Sequence, residues 1–104
     1  MNSRTYCFDL DGTLCTNTEG SYEDARPMFD RIKLVNNLFE TGNTIIIFTA
    51  RGSTTGIDWS SITSAQLKAW NVKYHNLIMG KPFADIYIDD KCVSDFDFFK
   101  SEND

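Results

Sequence analysis

In Phe8-Asp9-Leu10-Asp11-Gly12-Thr13 two carboxylates stand two residues apart, at the end of a short run rich in aromatic and apolar side chains. On a strand that spacing sends both side chains off the same side of the backbone, so Asp9 and Asp11 can share one ligand. Gly12 permits a turn with positive φ, and Thr13 can cap that turn or lend a hydroxyl. The apolar residues before Asp9 fix it at the tip of a rigid element. Carboxylates gathered in this way can hold a hard cation. Other polar groups also end apolar runs: Thr49 follows Ile45-Ile46-Ile47-Phe48, and Asp89-Asp90 follow Ile86-Tyr87-Ile88. Taken singly, Thr49 is an ordinary strand residue, Lys81 a solvated surface lysine and Asp89-Asp90 a polar turn.

The elements that must position these groups can be read from the pattern. Thr5 to Leu10 reads as a buried first strand ending in a turn at Asp11-Gly12. Residues 12 to 26 are polar and read as a loop or flap over one end of a sheet. Pro27 fits the first position of a helix whose Met28, Ile32, Val35 and Phe39 recur at helical spacing, with Leu34 and Leu38 widening the stripe and Gly42 closing it. Thr44 to Phe48 has the pattern of a central parallel strand covered on both faces. A second helix is expected from about Asp58 to Asn71, with Ile62, Ala65 or Gln66, and Ala69 facing inward and Trp59 and Trp70 at its ends. Two short strands follow, near Asn76 to Met79 and Ala84 to Ile88, and residues 93 to 99 close the chain as a helix carrying Phe96 and Phe99. This order predicts one α/β domain over residues 1–104, a small Rossmann-like three-layer fold with a central parallel sheet and right-handed crossovers. Such sheets bind ligands at the carboxyl ends of their strands, where all the singled-out residues fall.

At Asp9 to Thr13 the sequence resembles the haloacid dehalogenase superfamily, whose first motif has the form DxDGT after an apolar strand. The second motif, a Thr or Ser ending the second core strand, falls on Thr49. The third, a Lys, falls on Lys81, and the fourth, an acidic pair, on Asp89 and Asp90. The stretches 48–52 and 80–90 look especially like the small uncapped members, some described as capsule-biosynthesis phosphatases. Two features depart from the pattern. Lys81 precedes Asp89 by a stretch in which many relatives place a whole helix, and the chain ends soon after the fourth strand, leaving an edge that a partner subunit could cover as a homodimer. No insertion is long enough for a cap domain.

The resemblance implies a phosphatase acting through an aspartyl-phosphate. Asp9 would be the nucleophile, splitting one hard hydrolysis into two easier steps. Asp11 would protonate the leaving oxygen and then take a proton from water, a role worth roughly 10²–10⁴-fold. Carboxylates facing a phosphate dianion need a cation, and oxygen-only ligands select Mg²⁺. The resemblance draws that ligand set from Asp9, the main-chain carbonyl of Asp11, and Asp89 or Asp90. Phosphate binding falls to Thr49, Ala50, Arg51 and Lys81, with Lys81 also offsetting charge during catalysis. Arg51 either grips substrate phosphate bidentately or pairs with a nearby acid. Asp95 suits a helix cap, or a second metal-linked acid as in some relatives, and His75 reads as structural.

Composition narrows the alternatives. With 104 residues, 41% hydrophobic and 24% charged, the chain matches one soluble globular domain. A chain this short can bury roughly two-thirds of its unfolded surface, one core's worth, so the site must be fairly open. A net charge of −5 disfavours a nucleic-acid partner. No run approaches a membrane span, and Met1 to Thr5 leave no room for a secretory signal, which predicts a cytoplasmic protein. Cys7, Cys15 and Cys92 form no CxxC pair and read as small thiols. A receiver-like phospho-acceptor switch is the rival from another class, but it would place its acidic pair at the first strand and lack an acid two residues after its acceptor. The expected substrate is a small phosphorylated sugar or similar metabolite, with a nucleotide or macromolecular phosphoester as the alternative.

Overall fold

The computed structural model describes residues 3–103, with side chains described as far as Lys100. β1 (Thr5–Asp9), α1 (Phe29–Glu40), β2 (Thr44–Thr49), α2 (Ser60–Ala69), β3 (Asn76–Met79) and α3 (Asp95–Asn103) follow in that order. The strands form a parallel three-stranded sheet in the order β1-β2-β3, with Asp9 opposite Phe48 and Thr49 opposite Met79. The small parallel α/β domain read from the sequence is therefore present.

Burial follows the strand period. Ile45, Ile47 and Thr49 of β2 are fully covered, whereas Ile46 and Phe48 on the other face are only half-buried. Cover on both faces of β2 was expected, and one face has more of it. The core joins Phe8 and Leu10 of the first strand and its turn to Ile32 and Val35 of α1, Leu67 of α2 and Phe99 of α3. The first strand itself stops at Asp9, one residue short of the expected Leu10.

The helices differ from expectation in instructive ways. α1 begins at Phe29, not Pro27, because the chain ahead of it is still paired. Pro27 bridges Cys15, and the Met28 N–H donates to the Leu14 carbonyl at 2.9 Å. Its far end is as expected: Gly42 has φ +97° and its N–H closes on the Phe39 carbonyl. In α2 the inward face is Thr63 and Leu67, while Ile62 is 40% exposed and Ala65 and Ala69 face solvent. A polar requirement at the site, described below, turns the helix that way. In α3 it is Phe98 that joins Phe99 against the sheet, stacking edge-on to Phe8 at 5.7 Å, and Phe96 lies outside.

The fourth strand expected at Ala84 to Ile88 is absent. Tyr87 donates its hydroxyl to the Pro82 carbonyl and accepts the Ala84 N–H at 3.1 Å, so local bonds curl the segment in place of ladder pairing. Ile86 and Ile88 are exposed as a result.

Candidate functional site

The site forms where β1 and β2 end. After Asp9 the chain turns sharply: the N–H groups of Thr13, Leu14 and Cys15 all point at the Leu10 carbonyl, and Gly12, with φ +85°, returns its own N–H to Cys15. This tight turn buries Leu14 and Cys15 beneath the site. It also places the Thr13 hydroxyl on Asp9 Oδ2 at 3.2 Å. From the end of β3, the N–H groups of Gly80 and Lys81 both donate to the Thr49 carbonyl. That turn delivers Lys81 Nζ to Asp9 Oδ1 at 3.1 Å, with the ammonium also over the Tyr87 ring at 4.2 Å. Asp9 thus carries a hydroxyl on one oxygen and an ammonium on the other.

Asp11 has a different partner. Arg51 Nε donates to Asp11 Oδ2 and Nη2 to Oδ1, each at 2.9 Å, a bidentate pair in which the arginine side chain is wholly covered. Its Nη1 donates to Thr63 Oγ1 at 3.1 Å and to Gln66 Oε1 at 2.6 Å, and its remaining Nη2 proton lies toward Cys15 Sγ at 3.8 Å. All five guanidinium protons are accounted for. Of the two partners that the sequence left open for Arg51, the structure shows the acid, with all five guanidinium protons directed to protein groups. This also explains why α2 turns Thr63 inward.

A cleft of about 690 Å³ opens over these groups; Asp9, Asp11, Arg51 and Lys81 line it together with the aromatic Tyr22, Trp59, Phe83 and Tyr87 and polar residues such as Asn17, Glu19, Thr54 and Thr55. Residues 12 to 26, read as a flap, are pinned at several points: Thr16 and Arg26 exchange two hydrogen bonds, Gln66 Nε2 donates to the Tyr22 carbonyl, and the Tyr22 ring packs edge-on to Trp59. The Tyr22, Trp59, Phe83 and Gln66 contributions were not singled out from the sequence, because none has a motif of its own. Gln66 stood only as one of two choices for an inward position.

Thr49 lies at the expected strand end but is buried, its Oγ1 accepting the Arg51 N–H at 3.1 Å, and it does not line the cleft. Asp89 and Asp90 lie outside the cleft as well. Asp89 accepts the Lys91 N–H at 2.9 Å; that bond, with a further one to Asp90, holds its carboxyl below the usual range. Among the described residues no three His, Cys, Asp or Glu side chains come together as a cation site. The oxygens of Asp9 and Asp11 fit a Mg²⁺ ion, which is commonly held by one or two carboxylates together with waters and substrate phosphate; the third carboxylate expected at Asp89 or Asp90 is not on the cleft.

Two further residues resolve into structural roles. Asp95 receives Arg31 Nη1 at 2.7 Å, and the same guanidinium reaches the Thr13 carbonyl at 3.0 Å, tying the turn after Asp11 to α3. His75 Nδ1 accepts the Ile45 N–H while its ring stacks on Phe39 at 4.5 Å, the structural role expected of it.

The loop after Arg51 depends on Gly52. It has φ +83°, and a Cβ there would come within 2.1 Å of the Ile57 carbonyl oxygen. Gly52→Ala should cost about 2 kcal/mol, from the left-handed conformation and the displaced backbone together, read as a lower melting temperature.

The thiols separate by environment. Cys15 is buried, and burial foremost, with the Asp11 charge next, pushes its pKa up to about 12. Cys7 and Cys92 are exposed, although desolvation raises Cys7 as well. A thiol reagent at neutral pH should modify Cys92 and Cys7 in the native protein and reach Cys15 only after unfolding, as mass mapping of the modified peptides will report.

No family model and no curated protein matches the chain. Among solved structures, the chain is similar to a target protein from Vibrio cholerae, with 29% sequence identity, 92% of this chain and 87% of that one covered, and a TM-score of 0.81. It is also similar to a chain in the structure of a Pnkp1/Rnl/Hen1 complex, at 19% identity and a TM-score of 0.58, where 96% of this chain corresponds to 32% of that one. The second likeness is one of fold. Among the described residues, no helix is long and apolar enough to cross a membrane.

Proposed function

We propose that the chain is a Mg²⁺-dependent phosphomonoesterase of the haloacid dehalogenase type, an uncapped Rossmann-like domain acting through an aspartyl-phosphate. The observation that carries this reading is the floor of the cleft. Asp9, at the tip of β1, has Lys81 on one oxygen and Thr13 on the other, and Asp11 stands two residues on in a bidentate grip.

In the first step Asp9 attacks phosphorus while the bond to the leaving oxygen breaks, and that oxygen takes a proton from Asp11, which enters the step protonated and leaves it as the carboxylate that Arg51 grips. In the second, water attacks the acyl-phosphate, Asp11 takes its proton, and the Asp9 carboxylate and inorganic phosphate are released. Lys81 offsets the charge that Asp9 and the phosphoryl group bring together. Mg²⁺, when bound, supplies the further positive charge that a phosphate dianion needs beside two carboxylates. A proton donor two residues after the acceptor favours turnover over a phospho-acceptor switch, which would store the group.

The cleft is open and its lining mixes four aromatic rings with polar groups such as Asn17, Thr54 and Thr55, which suits a small phosphorylated metabolite such as a sugar phosphate in a cytoplasmic setting. The test is release of inorganic phosphate from a panel of sugar phosphates, nucleotides and aryl phosphates, with and without Mg²⁺. Mg²⁺-dependent release supports the reading and ranks the substrates. Formation of a stable phosphoprotein without release would support the switch instead.

A further inference from the structure

We infer that Arg51 is a positioning residue that acts on the reaction through Asp11, and that α2 and the 12–26 segment hold the acid/base in place by way of it. This rests on the phosphomonoesterase reading. The guanidinium is buried and every one of its protons is spent inside the protein, two on the Asp11 carboxylate, two on Thr63 and Gln66, and one toward Cys15. A planar fork bound at both nitrogens fixes the plane of the carboxylate as well as its distance. Gln66 is held in turn by the Tyr22 carbonyl, and the Tyr22 ring lies 4.8 Å from the guanidinium, so the segment above the cleft and the helix beside it meet at this one side chain. Arg51 has no path to a substrate phosphate except by leaving four partners.

The consequence is specific to the leaving group. An ester whose leaving oxygen must be protonated depends on where Asp11 points, whereas p-nitrophenolate departs with little help. Lysine cannot reproduce the bidentate grip. Arg51→Lys should therefore lower kcat for phenyl phosphate by roughly 100-fold, the scale of a misplaced catalytic group. For p-nitrophenyl phosphate it should lose less than about fivefold, with KM for both within about twofold of wild type. Gln66→Leu, which leaves the Arg51–Asp11 pair in place, should show the same selectivity at roughly tenfold and guards against a lysine variant that does not fold. In an Asp11→Asn background Arg51→Lys should add nothing. Equal losses on both esters, a raised KM, or no loss in either variant would overturn the inference while leaving the phosphatase reading standing. A wild-type protein that releases phosphate from neither ester would overturn that reading and this inference together.

Discussion

Asp9→Asn is expected to lose phosphatase turnover by roughly 10⁴-fold or more while keeping its fold. The amide has nearly the carboxylate's shape, so the turn built on the Leu10 carbonyl has no reason to move. What disappears is the anionic oxygen, and an amide oxygen is too weak a nucleophile to open a phosphate ester. The structural cost is small by comparison. The Lys81–Asp9 pair is partly solvated on both sides, with side-chain exposures of 16% and 34%, and its loss should cost about 1 kcal/mol or less. Circular dichroism and thermal melting alongside the phosphate assay separate the two effects. A variant that retains wild-type turnover would remove Asp9 from the chemistry.

Asp11→Asn should fail in two ways at once. Turnover should fall by roughly 10²–10⁴-fold, because neither the leaving oxygen nor the attacking water has its proton partner. Stability should fall by about 3 kcal/mol, because a guanidinium with no exposed side-chain surface loses its only carboxylate. Thr63 and Gln66 remain as acceptors but carry no charge. This coupling distinguishes Asp11 from Asp9. The same neutralising change two residues apart should leave one protein nearly as stable as wild type and the other measurably weakened, with urea titration as the readout.

Much of the fold was legible in the sequence because its strongest periodic signals belong to its most buried parts. β2 and β3 appear where expected, and the stripe through Ile32 and Val35 does face the core. What sequence could not give were places where a polar bond outweighs a pattern. The Met28 N–H bound to Leu14 delays α1 past Pro27, and the Arg51 guanidinium draws Thr63 inward where apolar spacing had favoured Ile62. Ala84 to Ile88 carries a strand's composition, yet the Tyr87 hydroxyl satisfies its backbone locally and Asp89 serves its own turn.

The site was legible to the same degree. Asp9 and Asp11 stand out by their two-residue spacing before Gly12, Lys81 was singled out only by a family resemblance, and the three share the cleft. Arg51 was legible as a partner for a phosphate or for a nearby acid, but not for Asp11 in particular, since no spacing rule links the two across forty residues. The aromatic surround from Tyr22, Trp59, Phe83 and Tyr87 is assembled from three separate segments, and nothing in sequence order brings them together.

The central claim is a covalent phosphoryl group on Asp9, and trapping tests it most directly. Protein turning over p-nitrophenyl phosphate with Mg²⁺ is quenched and reduced with borohydride, which converts an aspartyl-phosphate to homoserine, and the peptides are sequenced by mass spectrometry. Homoserine at position 9, absent without substrate and absent from Asp9→Asn, is the expected result. Phosphate release with Asp9 unmodified, or with the reduced residue at another aspartate, would contradict the account.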